Sequence, residues 1–535
     1  MKKYSILKVI LLVILVVSAC TWIFPMLSFS SELVESERQQ IGIFDLFAYV
    51  AEAFRYFQYI ILMSVAIGAF YGVAYKIPAY RRLLDVIVTK FKGKEYIFLI
   101  ATMVIISAIV SVTGLSFGML FVFPFIISVV LLMGYNKLVA ASVTVGSTVV
   151  GLIGTTLGSS SVHYINLVLA TDVYNEMVSK IILLLIGLVL LGYNVISYAK
   201  KTKNDIDEVL EFVPSSLAVS DSVKVVKQEV KEEKVEDKKA SKKVSNEKEE
   251  TKSKKAKADD TKSKKATSTK TPSKKTTDSK KNATKKTTTA KKSTKTKAYD
   301  LRSKDEIKVA HTKNKKPAIW PFILVFDVVL IILAVATLDW ETVFETTWQT
   351  NALNAINDFT IKGFPIFSKI LGNLNEFGNW NLNYEMPGLI ILATCFLGFI
   401  YGLKFNKFLE GALDGIKKAS KPAFYMFIVY VVLIIVTYHP FQLHFAKFFL
   451  GLTKNLNVVT LTITLMLSSI FNIESAYVAQ STLPYVTSVI TDTTLYPIIS
   501  VITQAVYGLM MLVAPTSVIL LGTLSYLDIP YTQWL

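Results

Sequence analysis

The chain has 535 residues, 52% of them hydrophobic, a positive mean hydropathy and a formal net charge of +18. This composition excludes an ordinary soluble domain, which would need one enormous core with helices apolar on every face. It also argues against a chain that binds nucleic acid throughout, because residues 251–300 hold 18 Lys and 4 Asp and so supply +14 of the total.

A helix needs about 20 apolar residues to cross the roughly 30 Å hydrocarbon core of a bilayer. Runs approaching that length lie at 5–28, 56–75, 96–112, 117–135, 138–158 and 180–198. A second set follows at 318–338, 386–403, 422–438, 455–473 and 495–522. The spacing predicts two membrane halves, 1–199 and 318–535, joined by a segment over 200–317. At the start, Met1-Lys2-Lys3 before an apolar run has a signal-peptide pattern, and Val17-Ser18-Ala19-Cys20 resembles a lipoprotein cleavage site. The run continues through Thr21-Trp22-Ile23-Phe24-Pro25, so a retained first helix is expected. Cys20 and Cys395 both lie in apolar runs, and His163, His311, His439 and His444 have no ligand spacing, so neither disulfides nor a metal centre is expected.

Lys and Arg in short loops mark the cytoplasmic side. Lys2 and Lys3 place the N-terminus inside, and Lys76, Arg81, Arg82, Lys90, Lys92 and Lys94 place the loop 76–94 there. The runs 96–112 and 117–135 either cross as a pair or form a re-entrant hairpin, both returning to the side of Lys137. Span 138–158 exits and 180–198 returns, which puts the basic linker inside. Span 318–338 exits, 339–385 is an outer segment, and 386–403 re-enters at Lys404, Lys407, Lys417, Lys418 and Lys421. Run 455–473, a polar tip and 483–491 form a second hairpin entering from outside, and 495–522 brings the C-terminus inside. The expected fold is an all-α polytopic membrane protein of inverted repeats, with two re-entrant hairpins and two broken helices, split by a disordered cytoplasmic linker. The expected location is the plasma membrane of a bacterium.

Non-helical backbone at membrane depth must line a cavity or be buried in protein. Four interruptions meet that description. They are Thr113-Gly114-Leu115-Ser116, the stretch from Gly154-Thr155-Thr156 to Gly158-Ser159-Ser160-Ser161, Asn472-Ile473-Glu474-Ser475, and Ala514-Pro515-Thr516-Ser517. Glycine permits tight turns and Pro515 removes an amide donor. The candidate substrate- or ion-binding residues are Thr113, Gly114, Ser116, Thr155, Thr156, Ser159, Ser160, Asn472, Glu474, Ser475, Pro515, Thr516 and Ser517. Short hydroxyls there suit a carboxylate or sodium, with Na⁺ placed near Thr155, Ser159 and Thr516. Gly146, Gly151 and Gly154 suit helix packing as well as lining. Glu474 is the sharpest candidate, since a carboxylate between apolar runs is costly. It would carry a proton, hold a cation, pair with a cationic substrate, or merely cap a helix in a wetter loop. Asp172 and Glu176 are either solvated or draw cations to an outer vestibule. With no Walker loop or catalytic constellation, the chain is not expected to be an enzyme or to need a cofactor, and an ion gradient of Na⁺ or H⁺ would drive it.

The linker repeats Lys with Thr, Ser and Ala, as in Thr261-Lys262-Ser263-Lys264-Lys265-Ala266, and has too few large apolar residues to offset ordering entropy. Anionic lipid of the inner leaflet is its nearest partner, with an unknown anionic protein or nucleic acid as alternatives.

The chain resembles the YfcC-type membrane proteins, labelled C4-dicarboxylate anaerobic carrier-like or basic amino acid antiporters, within the ion transporter superfamily. The resemblance rests first on Ala514-Pro515-Thr516-Ser517-Val518 and on the ending Pro530-Tyr531-Thr532-Gln533-Trp534-Leu535. It extends to Thr21-Trp22-Ile23-Phe24-Pro25, Ile41-Gly42-Ile43-Phe44-Asp45, Pro124-Phe125, Gly134-Tyr135-Asn136 and the Gly411-Ala412-Leu413-Asp414-Gly415 loop. It implies secondary transport of small carboxylates or amino acids, with a homodimer among the assemblies to test. This sequence departs from the family at Gly114-Leu115-Ser116-Phe117-Gly118, which lacks the paired acids, and at Gly158-Ser159-Ser160-Ser161, where Asn-Pro-Phe is usual. It also departs at Glu474 and Tyr477 in a tip that is usually Ser/Gly-rich, at Tyr507-Gly508 in place of Gly-Asp-Gly, and in the long linker. The other reading of the chain is a non-transporting scaffold or sensor with a basic tether.

Overall fold

The structure, a computed structural model, describes residues 5–158, 160–203, 317–372, 375–378, 380, 384–453 and 457–535, with only the backbone of Ser160, Ser161 and Leu371. The Lys-rich linker, apart from its ends at 200–203 and 317, therefore lies outside the described residues, as does Ser159. What is described is mostly helical. Seven helices, at 5–23, 43–76, 95–113, 177–202, 320–337, 405–438 and 493–527, are long and apolar enough to cross a membrane. This is a membrane protein, and the apolar stretches on either side of the linker fold together as one compact unit.

The first helix, α1 (Ser5–Ile23), leads into a hairpin of β1 (Met26–Phe29) and β2 (Leu33–Ser36), with Met26 opposite Ser36. Helix α2 (Ile43–Lys76) begins well before the apolar run that announced it, because Asp45, Glu52 and Arg55 lie on its first turns; it is kinked at Phe57 (φ −119°, ψ 20°). Proline fits the first turn of a helix, where its missing N–H costs nothing; thus Pro78 opens α3 (Pro78–Lys90). Helix α4 (Glu95–Thr113) stops at Gly114, whose φ of 68° favours glycine. A 3₁₀ turn at Gly118–Phe121 then leads to α5 (Phe123–Leu132). Ten helical residues rise only about 15 Å, so α5 is about half a bilayer long and shorter than the apolar run 117–135. Helix α6 (Lys137–Ala141), capped by Asn136, continues through a π turn into α7 (Ser147–Ile153), which ends at Gly154. A short α8 (Ser160–Leu169) and the long α9 (Met177–Thr202) complete the first half.

After α10 (Trp320–Thr337), the chain folds into α11 (Trp340–Phe344), α12 (Trp348–Asp358), the two-residue strands β3 (Thr360–Ile361) and β4 (Phe364–Pro365), and α13 (Ile366–Leu371). Then come α14 (Glu385–Ile400), α15 (Phe405–Ile428), α16 (Tyr430–Tyr438) and α17 (Leu443–Leu450). The chain ends with α18 (Val458–Asn472), α19 (Ser475–Val489), α20 (Tyr496–Val513), α21 (Val518–Leu527) and α22 (Tyr531–Trp534). Two sequence expectations change here. Residues 405–421 are helical rather than a loop, because their charges sit on one side of an amphipathic helix that runs on through Pro422. The second arm of the late hairpin starts at Ser475, not at 483, so its tip is two residues long. The span 495–522 is broken after Val513, at the Ala514–Ser517 interruption that the sequence marks.

The two halves are joined chiefly by α2 against α15, the most extensive helix pair in the fold. Small residues let helix backbones approach closely where the hydrophobic effect gives no drive between apolar surfaces. Gly68 and Gly72, one turn apart, face Gly415 and Gly411, also one turn apart. A methyl on Gly415 would lie 1.9 Å from the Gly68 carbonyl oxygen, and one on Gly72 would lie 2.1 Å from that of Gly411. At one end of this crossing Lys76 Nζ meets Glu410 at 3.0 Å and Asp414 at 3.2 Å.

Candidate functional site

Each hairpin tip is tied to the helix break that follows it, and the two ties match. In the first half, the Thr156 hydroxyl donates to the Ser111 carbonyl at 3.1 Å and the Thr156 amide donates to the same oxygen at 2.9 Å. Ser111 Oγ in turn donates to the Gly154 carbonyl at 2.6 Å. In the second half, the Thr516 hydroxyl donates to the Ile470 carbonyl at 2.9 Å. Ser111 and Ile470 each lie three residues before the positive-φ residue that ends a hairpin arm, Gly114 and Ile473 respectively. Thr156 and Thr516 each lie two residues beyond the residue closing a broken helix, Gly154 and Ala514. From Gly114 to Gly154 is 40 residues and from Ile473 to Ala514 is 41. The broken helices also touch directly: a methyl on Gly508 of α20 would meet the Ile153 backbone nitrogen at 2.6 Å.

The second tip holds strained backbone. Ile473 has φ 60° and ψ −45°, and the Glu474 amide donates to the Asn472 carbonyl at 2.5 Å, which closes a three-residue γ-turn of the rare positive-φ kind. A β-branched residue adopts this only where its surroundings over-determine it. Here the Ile473 side chain is only 1% exposed, and its carbonyl accepts the Tyr507 hydroxyl at 3.3 Å. The turn fixes Glu474 at the N-cap of α19. Glu474 Oε1 accepts the Tyr430 hydroxyl at 2.5 Å and the Tyr59 hydroxyl at 3.4 Å. These tyrosines belong to α16 and α2, so one carboxylate links the second tip to both halves of the chain. Phe57, at the kink of α2, has its ring centroid 4.3 Å from that of Tyr430. Tyr59 meets Phe117, of the first tip, edge to face at 6.3 Å. Both tips therefore contact one tyrosine, Tyr59.

The remaining candidates divide. Thr113 is buried and donates to the Ile109 carbonyl at 2.7 Å while accepting from the Leu115 amide at 3.2 Å, so it shapes the turn at Gly114. Ser116 is half-buried at that tip. Asn472 Nδ2 donates to Ser468 within α18, and Ser468 Oγ pairs with Thr482 Oγ1 at 2.5 Å, closing the two arms of the hairpin together. Ser475 is buried one residue beyond Glu474. Ser517 Oγ donates to the Met511 carbonyl at 2.6 Å and receives the Leu520 amide at 3.4 Å, spanning the break opened at Pro515. The hydroxyl protons of Thr155 and Thr516, expected to help hold sodium, both go to backbone carbonyls. Ser159 lies outside the described residues, and only the backbone of Ser160 is described. Tyr59, Tyr430 and Tyr507 were not among the residues expected here; nothing in their spacing pairs them with Glu474.

Outside the spans, His439 follows α16, and burial holds its imidazole below the ordinary histidine value. Its Nε2 lies 2.5 Å from the Tyr49 hydroxyl. His163 Nδ1 stands 3.4 Å from Asp339 Oδ2. Glu176 accepts the Ser179 hydroxyl at 2.7 Å, and Lys180 Nζ donates to the Val173 carbonyl at 2.7 Å. No group of His, Cys, Asp and Glu suited to a metal ion occurs among the described residues.

No protein-family model matches the chain, no curated protein is significantly similar to it, and no solved structure matches its fold.

Proposed function

We propose that this chain is a secondary transporter built from two inverted repeats. The observation that carries this reading is the matched pair of side-chain ties, Thr156 to Ser111 and Thr516 to Ile470, whose spacings in the two halves differ by one residue. Such equivalence is what a duplicated hairpin-plus-broken-helix unit produces, and transporters place substrate where such units meet. The halves 1–199 and 318–535 would be the repeats, with both hairpins re-entrant and the N-terminus, linker and C-terminus cytoplasmic in a bacterial plasma membrane. The substrate is a small carboxylate or amino acid, moved with or against Na⁺ or H⁺, and the YfcC-type resemblance points the same way. Substrate would sit between the tips, beside Glu474 and the breaks at 154–159 and 514–517, with Thr113, Ser116 and Asn472 shaping the turns. The Lys-rich linker would lie on anionic lipid, and the carrier would work as a monomer or a homodimer.

The test is uptake and counterflow in proteoliposomes, with pooled amino acids and dicarboxylates under imposed Na⁺ and H⁺ gradients. Saturable flux that falls in Glu474→Gln supports the reading. Absence of flux from folded protein of known orientation, under every gradient, refutes it and leaves the scaffold reading.

A further inference from the structure

Away from the tips, a second polar cluster is buried between α8 and α20. Asn166 Oδ1 accepts the Ser500 hydroxyl at 2.9 Å and the Thr171 hydroxyl at 3.1 Å. Gln504, one turn along α20 from Ser500, reaches the same oxygen cluster with Nε2 3.5 Å from Ser500 Oγ. Gln504 is 5% exposed and Ser500 3%, yet the Gln504 Oε1 atom is fully buried with no hydrogen-bond partner. Buried polar atoms in native proteins are almost always satisfied, so this orphan needs a partner of its own. Both hydroxyl protons are already spent on Asn166. What remains open at the cluster is oxygen lone pairs: on Gln504, on Ser500 and on Thr171.

We propose that the oxygens of Thr171, Ser500 and Gln504, the two hydroxyls oriented by Asn166, form a binding site for a monovalent cation of the sodium type. Hard cations take oxygen ligands, and carbonyl and hydroxyl oxygens are what this cluster offers. It contains no carboxylate, and neutral oxygens alone do not offset the dehydration of a divalent ion as readily as that of a monovalent one. An approach from the surface is at hand, since Thr171 is half-buried and is followed by exposed Asp172 and, further on, Glu176, against the single positive charge of Lys180. The site is distinct from the sodium position expected at Thr155, Ser159 and Thr516. Its use as a coupling site rests on the transport reading, but its occupancy does not.

The experiment is thermal unfolding of the purified full-length protein in detergent, titrated with NaCl, KCl or N-methylglucamine chloride at constant ionic strength. A ligand that binds only the folded state raises the midpoint in a saturable way. Sodium is expected to do so and N-methylglucamine is not. Gln504→Leu and Ser500→Ala each weaken half-saturation by roughly tenfold, the loss of one oxygen facing a charge. Gln504→Glu keeps the side-chain size, tightens sodium binding and makes it pH-dependent, so the idea remains testable where the truncated variants unfold. Equal responses to all three salts would overturn it, leaving a structural water at Gln504. Sodium stabilisation unchanged in all three variants would equally overturn it, placing the ion elsewhere. No substrate or gradient enters the measurement, so its failure is separate from failure of transport.

Discussion

Replacing Gly415 with Ala tests the crossing that joins the halves. The added methyl would stand 1.9 Å from the Gly68 oxygen, 2.7 Å from the Gly68 carbonyl carbon and 2.9 Å from the Gly72 Cα. All three atoms are backbone, so no rotamer change relieves them. A carbon meets a carbonyl oxygen no closer than about 3.3 Å, so the shortfall against Gly68 is about 1.4 Å and the helices must part by about that much. Overpacking of this kind costs about 1–3 kcal/mol; the upper half of that range is expected, because the strain falls on rigid backbone. Gly388→Ala, in α14, meets nothing within 4 Å and serves as the control; it should stay within about 0.5 kcal/mol of the parent. Thermal unfolding of the three proteins in one detergent measures the difference. If Gly415→Ala and Gly388→Ala unfold at the same midpoint, the close approach of α2 and α15 is not what holds the halves together.

Thr156→Val and Thr516→Val remove the matched side-chain bonds, and each should raise amide exchange at its own tip, 111–116 or 470–475, without affecting the other; the rise should be smaller for Thr156→Val, whose amide keeps its bond to the Ser111 carbonyl. A response at only one tip would argue against equivalence. Tyr430→Phe should loosen exchange at 473–477 more than Tyr59→Phe does, since their bonds to Glu474 are 2.5 and 3.4 Å; losing the shorter one should cost about 1–3 kcal/mol, as leaving a buried acceptor short of its partner does. The reverse order would contradict the geometry. For His439, the folded-state value is depressed, so its stabilising contribution is full above the unfolded value of about 6.5 and is lost as pH falls through the folded one. Burial sets this depression, against the opposing pull of the Gln39 backbone and of Asp45 on α2. The N-terminal strands dock nearby through the Leu27 amide on the Pro440 carbonyl at 2.6 Å, so exchange in residues 26–36 should rise on acidification in the parent and not in His439→Gln.

Hydropathy alone found α4, α9 and α10, because these helices are apolar along their whole length. It shortened α2 and missed the first turns of α15, where Asp45, Glu52, Lys407, Glu410 and Lys417 dilute the apolar signal on helices that are amphipathic. The residues Gly411 to Gly415 were read as a loop for the same reason; only the facing Gly68 and Gly72 reveal them as a contact surface. Near the second tip, Ser481 and Thr482 look like loop residues, yet their hydroxyls pair with each other and Thr482 pairs with Ser468 across the two hairpin arms. Glu474 stood out as a carboxylate between apolar runs. Its partners Tyr59 and Tyr430 did not, since tyrosine is common in such runs and the pairing with Tyr59 crosses most of the chain.

The glycine crossing also has a consequence for synthesis. Gly72 meets Gly411 only after about 340 further residues have been made, the Lys-rich segment among them. At ~5–20 residues per second that is roughly 20–70 s. Through that interval the glycine-lined side of α2 has no protein partner, so a nascent chain released early would carry an open helix face into the bilayer. Membrane chaperones and quality-control proteases would meet the molecule in that window, and slowing translation through the linker would lengthen it.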